Sequence, residues 1–147
     1  LSLVGSEMCI RDSRYVGAKI RTGSFTSTDI ELQSVEMDGS LTQTPEFPYN
    51  WMYDGSRPQM PGFEMEITCK SLFLIFKDSG EMDVGKADVF VNDVYCMTAD
   101  PHKNNWLHCN AVLLFWETES RSHKVRITVT EEDQNKKFTI LGFGYTI

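Results

Sequence analysis

The chain has 147 residues and a formal charge of −7, from 14 Lys and Arg against 21 Asp and Glu, so no basic footprint for nucleic acid or an anionic membrane is present and neither partner is expected. The length fits one domain with its own core, and no apolar run approaches the roughly 20 residues of a membrane-spanning helix; even Leu72-Phe73-Leu74-Ile75-Phe76 is stopped by Lys77 and Asp78. Nine Phe, five Tyr and three Trp favour sheet packing.

Residues 1–13, LSLVGSEMCIRDS, have no initiator Met, no periodicity, and none of the basic start, apolar middle and small-residue cleavage site of a signal peptide. They resemble the translated sequencing-adapter peptide that recurs at the ends of proteins read from assembled metagenomes. We set them apart as an expected disordered artefact and treat 14–147 as the module. Setting Cys9 aside leaves Cys69, Cys96 and Cys109, whose spacing matches no secreted disulfide framework. Reduced thiols in or beside strands are the expectation, with one disulfide pair still open.

Tyr15-Val16-Gly17-Ala18-Lys19-Ile20-Arg21 reads as a short strand, joined by a Gly-Ser-Phe-Thr-Ser turn to a second over 29–35 that puts Ile30, Leu32 and Ser34 on one face. Prolines 45, 48, 58 and 61 and glycines 39, 55 and 62 make 38–62 a loop-rich region holding an edge strand at most. Its aromatic group Phe47, Tyr49, Trp51, Met52 and Tyr53 predicts packing, because a disordered linker carries few such residues.

Strict alternation over 63–70 predicts a half-buried strand, and the apolar run 72–76 a buried central one. Segments 87–91 and 94–98 flank Asn92-Asp93, two residues that tolerate positive φ, which predicts a tight hairpin. Strands over 112–116, 123–130 and 138–145 follow, separated by polar turns at 117–122 and 131–137. No segment has a helical stripe. Eight to ten short strands at these spacings predict an all-β, antiparallel two-sheet sandwich of jelly-roll type.

The blocks Leu72-Phe73-Leu74-Ile75-Phe76-Lys77-Asp78-Ser79, Gly85-Lys86-Ala87-Asp88-Val89-Phe90-Val91, Asn104-Asn105-Trp106, His123-Lys124-Val125-Arg126-Ile127 and Phe138-Thr139-Ile140-Leu141-Gly142-Phe143-Gly144-Tyr145 occur in that order. Together they resemble the C-terminal β-sandwich appended to bacterial SGNH/GDSL-type hydrolases. The resemblance implies a non-catalytic, carbohydrate-binding-like accessory module beside a separate esterase domain, with carbohydrate and that catalytic domain as partners. The family's Gly-Asp-Ser nucleophile block and late Asp-x-x-His pair are missing: Lys77-Asp78-Ser79 lacks the Gly, and Asp100-Pro101-His102 has the wrong spacing. No catalytic residue is assigned.

For a sugar site, Trp106 flanked by Asn104, Asn105 and His108 offers a ring to stack on and groups that bond hydroxyls. Turn chemistry and packing over a sheet edge account for the same residues. Trp51, Tyr53 and Asp54 form a second group in a proline-stiffened loop, whose alternative reading is an apolar plug at one end of the sandwich or a docking surface for the hydrolase domain. Neither metal nor cofactor is expected. Asp100, His102, His108 and Cys109 supply only one arm of a zinc site, and calcium at Asp78, Glu81 and Asp83 would need carbonyl geometry that sequence does not give. Ser79, Ser120 and Ser122 near His123 have no orienting third group, and Glu131-Glu132-Asp133 reads as a solvated acidic turn.

Overall fold

The computed structural model describes residues 15, 17–31, 33–35, 41–45, 47–58, 61–104 and 109–147. Among these are nine strands: β1 (Lys19–Arg21), β2 (Gln33–Val35), β3 (Leu41–Pro45), β4 (Trp51–Tyr53), β5 (Phe63–Lys77), β6 (Ala87–Val91), β7 (Val94–Ala99), β8 (Cys109–Val129) and β9 (Phe138–Thr146), with one 3-10 turn at Glu131–Asp133. All strand pairs are antiparallel. The molecule is the expected antiparallel β-sandwich. Residues 1–13 lie outside the described residues.

Two long strands build both layers. The N-terminal half of β5 pairs with β1 and with the C-terminal half of β8, which continues to β6 and β7. The C-terminal half of β5 pairs with β9 and with the N-terminal half of β8, and β9 carries β4 at the edge. We call these the front and back sheets. A strand that serves two sheets must turn a corner, and bulges supply it. In β5, residues 63, 65, 67 and 69 are buried, whereas beyond the register shift between Cys69 and Ser71 the buried apolar set becomes 72, 74 and 76. One extra residue moves the inward face from odd to even positions.

On β8 the matching irregularity is larger. Trp116 pairs with Ser71 but Arg121 pairs with Cys69, so 117–120 loop out of a strand that continues on both sides. The turn expected at 117–122 is therefore corrected: its polarity reports exposure, not chain reversal, and both flanks bond the same neighbour. Glu117 ties the excursion down, with Oε1 2.8 Å from His123 Nε2 and Oε2 3.6 Å from Arg121 Nε. The His123 ring lies 4.1 Å from Phe115, and its Nδ1 accepts from the Asn92 amide at 2.9 Å.

The layers meet through aromatic rings. Phe63 of the front sheet stands 5.1 Å from Trp51 and 5.7 Å from Phe143 of the back sheet, and Phe25 of the connecting loop touches both Phe63 and Phe138. Burying each such ring contributes roughly 1.5–3 kcal/mol. The Asn92-Asp93 hairpin forms as expected, with φ of 52° and 65° at the two turn residues. β4 is an edge strand, as the prolines required.

Two expectations change. Ile30 is 70% exposed while Asp29 is buried, because Lys77, Thr139 and Asn50 all bond Asp29 and draw it inward. Leu32 lies outside the described residues. The apolar run 72–76 is central but not buried on both faces, since Phe73 is 39% exposed. Cys69, Cys96 and Cys109 are free cysteines, in line with the reduced thiols expected.

Candidate functional site

Alternation on the front sheet sends one residue in two outward, and pairing aligns them into rows. One row crosses all five strands as Arg21, Glu64, Arg126, Phe90 and Tyr95. A second runs Lys19, Glu66 and Lys124, and a third Thr128, Asp88 and Thr98. The Arg126 guanidinium lies 4.2 Å over the Phe90 ring, and Tyr95, 57% exposed, meets Phe90 edge-on at 6.0 Å. Tyr95 Oη is 2.7 Å from Thr98 Oγ1, which donates to Asp88 Oδ1 at 2.6 Å. Among the described residues no carboxylate lies within ion-pair distance of Arg126.

Thr128 and Asp88 of the third row, with Arg126, floor a groove of about 490 Å³ whose walls are two loops, Pro58, Pro61 and Gly62 on one side, Glu131 and Gln134 on the other. Gly62 is required there because a Cβ would run into Ile127 O and Thr128 Cγ2. Carboxylates anchor both walls. Asp54 accepts from Ser27 Oγ, Ser56 Oγ and Ser56 N, and these bonds, Ser27's first, bring its pKa down to about 2. Asp133 accepts from Lys86 N at 2.9 Å, the main reason its pKa is lowered. Tyr53 Oη donates to Gln134 O at 2.5 Å and joins the two walls. A second depression of about 230 Å³ on the same face is lined by Lys19, Arg21, Glu64, Glu66 and Lys124.

The outer face of the back sheet differs in kind. Phe73 on β5 pairs with Leu113 on β8 and Gly144 on β9, and Trp116 stands opposite Ser71, which is itself buried. Leu113 is 51% and Trp116 71% exposed, giving an apolar patch with Phe73 among the described residues.

Of the site residues expected from sequence, Asn104, Trp51, Tyr53 and Asp54 are among the described residues. Trp106, Asn105 and His108 lie outside the described residues; Asn104 donates weakly to Asn110 Oδ1 at 3.4 Å. Trp51 and Tyr53 are 1% and 2% exposed, which corrects the expectation of rings offered at the surface: they are core, as the plug reading anticipated. The docking surface expected through Trp51 and Tyr53 falls with it. Asp54 braces a loop. Of the candidate calcium carboxylates, Asp83 pairs with Lys137 at 3.4 Å, and burial pushes the Asp78 carboxyl up. Among the described residues no group of three or more His, Cys, Asp and Glu is placed to hold a metal ion. His102 Nε2 is 2.7 Å from Val84 O, and His123 bonds Asn92.

Beside β9 a small cavity of about 120 Å³ holds a polar cluster. Lys77 Nζ lies 2.9 Å from Asp29 and 2.6 Å from Glu31, and Thr139 Oγ1 donates to Asp29 at 2.8 Å. Burial pushes the Asp29 carboxyl up, but Lys77 and the donors around it outweigh burial and leave its pKa lowered. Its groups are all mutually bonded, which makes it a brace between the 24–31 loop and the back sheet.

The fold occurs in larger proteins. The chain superimposes on a two-domain esterase active on acetylated mannans, with a TM-score of 0.57 at 12% identity, covering 89% of this chain and 34% of that one. It therefore spans about a third of that protein's length. A family 35 carbohydrate-binding module from an environmental isolate matches over 90% of this chain and 89% of its own at 15% identity and a TM-score of 0.47. A family two carbohydrate esterase from Cellvibrio japonicus matches over 88% and 36% at 13% identity and a TM-score of 0.41. No protein-family model and no curated protein matches the chain.

Sequence reasoning missed the front-face row. Its one local signal was the alternation Asp88-Val89-Phe90 beside Lys124-Val125-Arg126, which marks solvent-facing positions without saying that they meet.

Proposed function

We propose that the chain is a non-catalytic carbohydrate-binding module, the accessory domain of an SGNH/GDSL-type carbohydrate esterase, and that it holds sugar on the outer face of its front sheet. The observation carrying this reading is the arrangement of Tyr95, Phe90, Arg126 and Asp88 beside an open groove. Sugars present alternating apolar ring faces and hydroxyls. A half-exposed tyrosine suits the first, while an unpaired guanidinium donor next to a carboxylate acceptor suits two neighbouring hydroxyls. Both loop walls are held by hydrogen bonds in the free protein, Ser24 N donating to Pro61 O on one side and Lys86 N to Asp133 on the other, which lowers the ordering cost of binding. The likeness in fold to a two-domain esterase supports a setting beside a catalytic domain. Trp106, with Asn104, Asn105 and His108, remains a proposed second contact for sugar.

Affinity gel electrophoresis of the purified chain in mannan, xylan and glucan gels tests this. Retardation by at least one polymer is expected, lost in Arg126→Ala and Tyr95→Ala; unretarded migration in every gel rejects it. Loss in Trp106→Ala instead would move the site to the 100–108 loop.

A second reading, docking on the esterase domain, is favoured by the apolar face of Phe73, Leu113 and Trp116. Co-purification with an SGNH catalytic domain, abolished by Trp116→Lys, is its expected signature.

A further inference from the structure

We infer that the front face takes an internal stretch of a polysaccharide, lying across the strands and read at two or more sugar units, not a chain end seated in a closed pocket. This rests on the carbohydrate-binding reading above and goes further on three observations.

First, the row Arg21, Glu64, Arg126, Phe90 and Tyr95 spans every strand of the front sheet, four inter-strand steps or roughly 19 Å. Such a row is longer than one sugar ring. Second, it runs off both edges of the sheet. β7 is the terminal strand on one side, and β1 pairs only with β5 on the other, so among the described residues no further strand blocks either exit. Third, two depressions share the face. The 490 Å³ groove lies along Asp88, Arg126 and Thr128, the 230 Å³ one along Lys19, Glu64 and Lys124, and the Glu64–Arg126 pair stands between them.

The two ends offer different chemistry. Around Tyr95 the surface has a ring, one acceptor carboxylate and one donor guanidinium, which suits stacking plus a hydroxyl pair. Around Glu64 there is no aromatic ring but a lattice of alternating charges, Lys19, Glu66 and Lys124 beside Arg21 and Glu64, with Lys124 Nζ 4.0 Å from Glu64. Exposed pairs of that kind are weak and readily exchanged for hydroxyl contacts. The Tyr95 end therefore anchors one unit, and the Glu64 end adds affinity only when the ligand is long enough to reach it.

Calorimetric titration with mono-, di-, tetra- and hexasaccharides of the polymer that retards the chain tests this. Affinity is expected to rise at least tenfold from monosaccharide to tetrasaccharide. Tyr95→Ala should weaken every length, whereas Glu64→Gln should weaken tetra- and hexasaccharide several-fold and leave the monosaccharide unchanged. Reducing the terminal sugar with borohydride should not alter hexasaccharide binding, because no chain end is read. Equal affinity for one sugar and six, or loss of binding on reduction, overturns the inference while leaving the carbohydrate-binding reading intact. No binding at any length, with the circular dichroism spectrum of a folded sheet, removes both.

Discussion

The two outer faces of this sandwich are built from the same two strands yet have opposite character. On the front, β5 and β8 turn Glu64, Glu66, Lys124 and Arg126 to water; on the back, beyond the bulges, they turn out Phe73, Leu113 and Trp116. The phase flip between Cys69 and Ser71 is what allows this. It lets one strand keep its apolar residues inside on the front and still expose an apolar row on the back. The front face is grooved and walled by loops, a shape for a ligand. The back face carries an apolar patch, which suits another protein surface.

The sharpest way to break the contrast is to remove the groove and keep the back face. Gly62→Ala forces a Cβ into Ile127 O and Thr128 Cγ2, atoms of a central strand that cannot retreat. Thermal or urea unfolding should show a loss of about 3 kcal/mol, on the order of 10 °C in Tm, together with loss of gel retardation. An unchanged Tm would mean that the 58–62 wall is not seated as described.

Next in size are the binding variants. Arg126→Ala and Tyr95→Ala should each weaken oligosaccharide binding about tenfold or more, equivalent to about 1.4 kcal/mol, measured by calorimetry. Their stability should stay within about 0.5 kcal/mol for the half-exposed Tyr95, so a folding defect is separable from a binding defect.

Acid should loosen the braced loops, because Asp54 and Asp133 beside the groove and Asp29 at the back sheet all have pKa values lowered by their bonds. Asp54 and Asp133 anchor the two groove walls with pKa values below the unfolded carboxylate value, Asp54 at about 2. A carboxylate whose folded pKa is depressed adds stability that is full above its unfolded pKa of 3.8 and disappears as pH falls toward 2. Urea midpoints should thus decline between about pH 5 and 2, and Asp54→Asn should flatten that decline by about 1 kcal/mol after allowing for solvent screening. A variant whose midpoint falls with acid as steeply as the parent would show that Asp54 is not held by Ser27 and Ser56.

How far the sequence reached follows from what is local. The Asn92-Asp93 hairpin was legible because a two-residue turn with both φ positive selects its own residues. The edge position of β4 was legible because prolines bracket it. The excursion at 117–120 was not, since polarity marks exposure whether the chain reverses or only bulges. That Asp29 and not Ile30 turns inward was not legible, because the burial of Asp29 depends on Lys77, 48 residues away. Whether Trp51 and Tyr53 face water or core stayed open in the sequence, because an aromatic cluster near prolines looks alike in either setting. The row of Arg126, Phe90 and Tyr95 exists only through the pairing of β6 with β7 and β8, which no local pattern encodes.

The smallest expected effect on folding is also the one that separates the two faces most cleanly. Trp116 is 71% exposed and opposite Ser71, so Trp116→Lys removes little packing and places its charge in water. Stability should change by no more than about 0.5 kcal/mol, and sugar affinity should not change, because the front row lies on the other sheet. What should change is contact with a partner domain: a lysine in an apolar interface loses its hydration without gaining a counter-charge, which opposes docking strongly. Gel filtration of the variant with an SGNH catalytic domain reads this directly. If co-elution survives Trp116→Lys while glycan binding falls, the division of labour between the faces is wrong and Trp116 belongs to the sugar site.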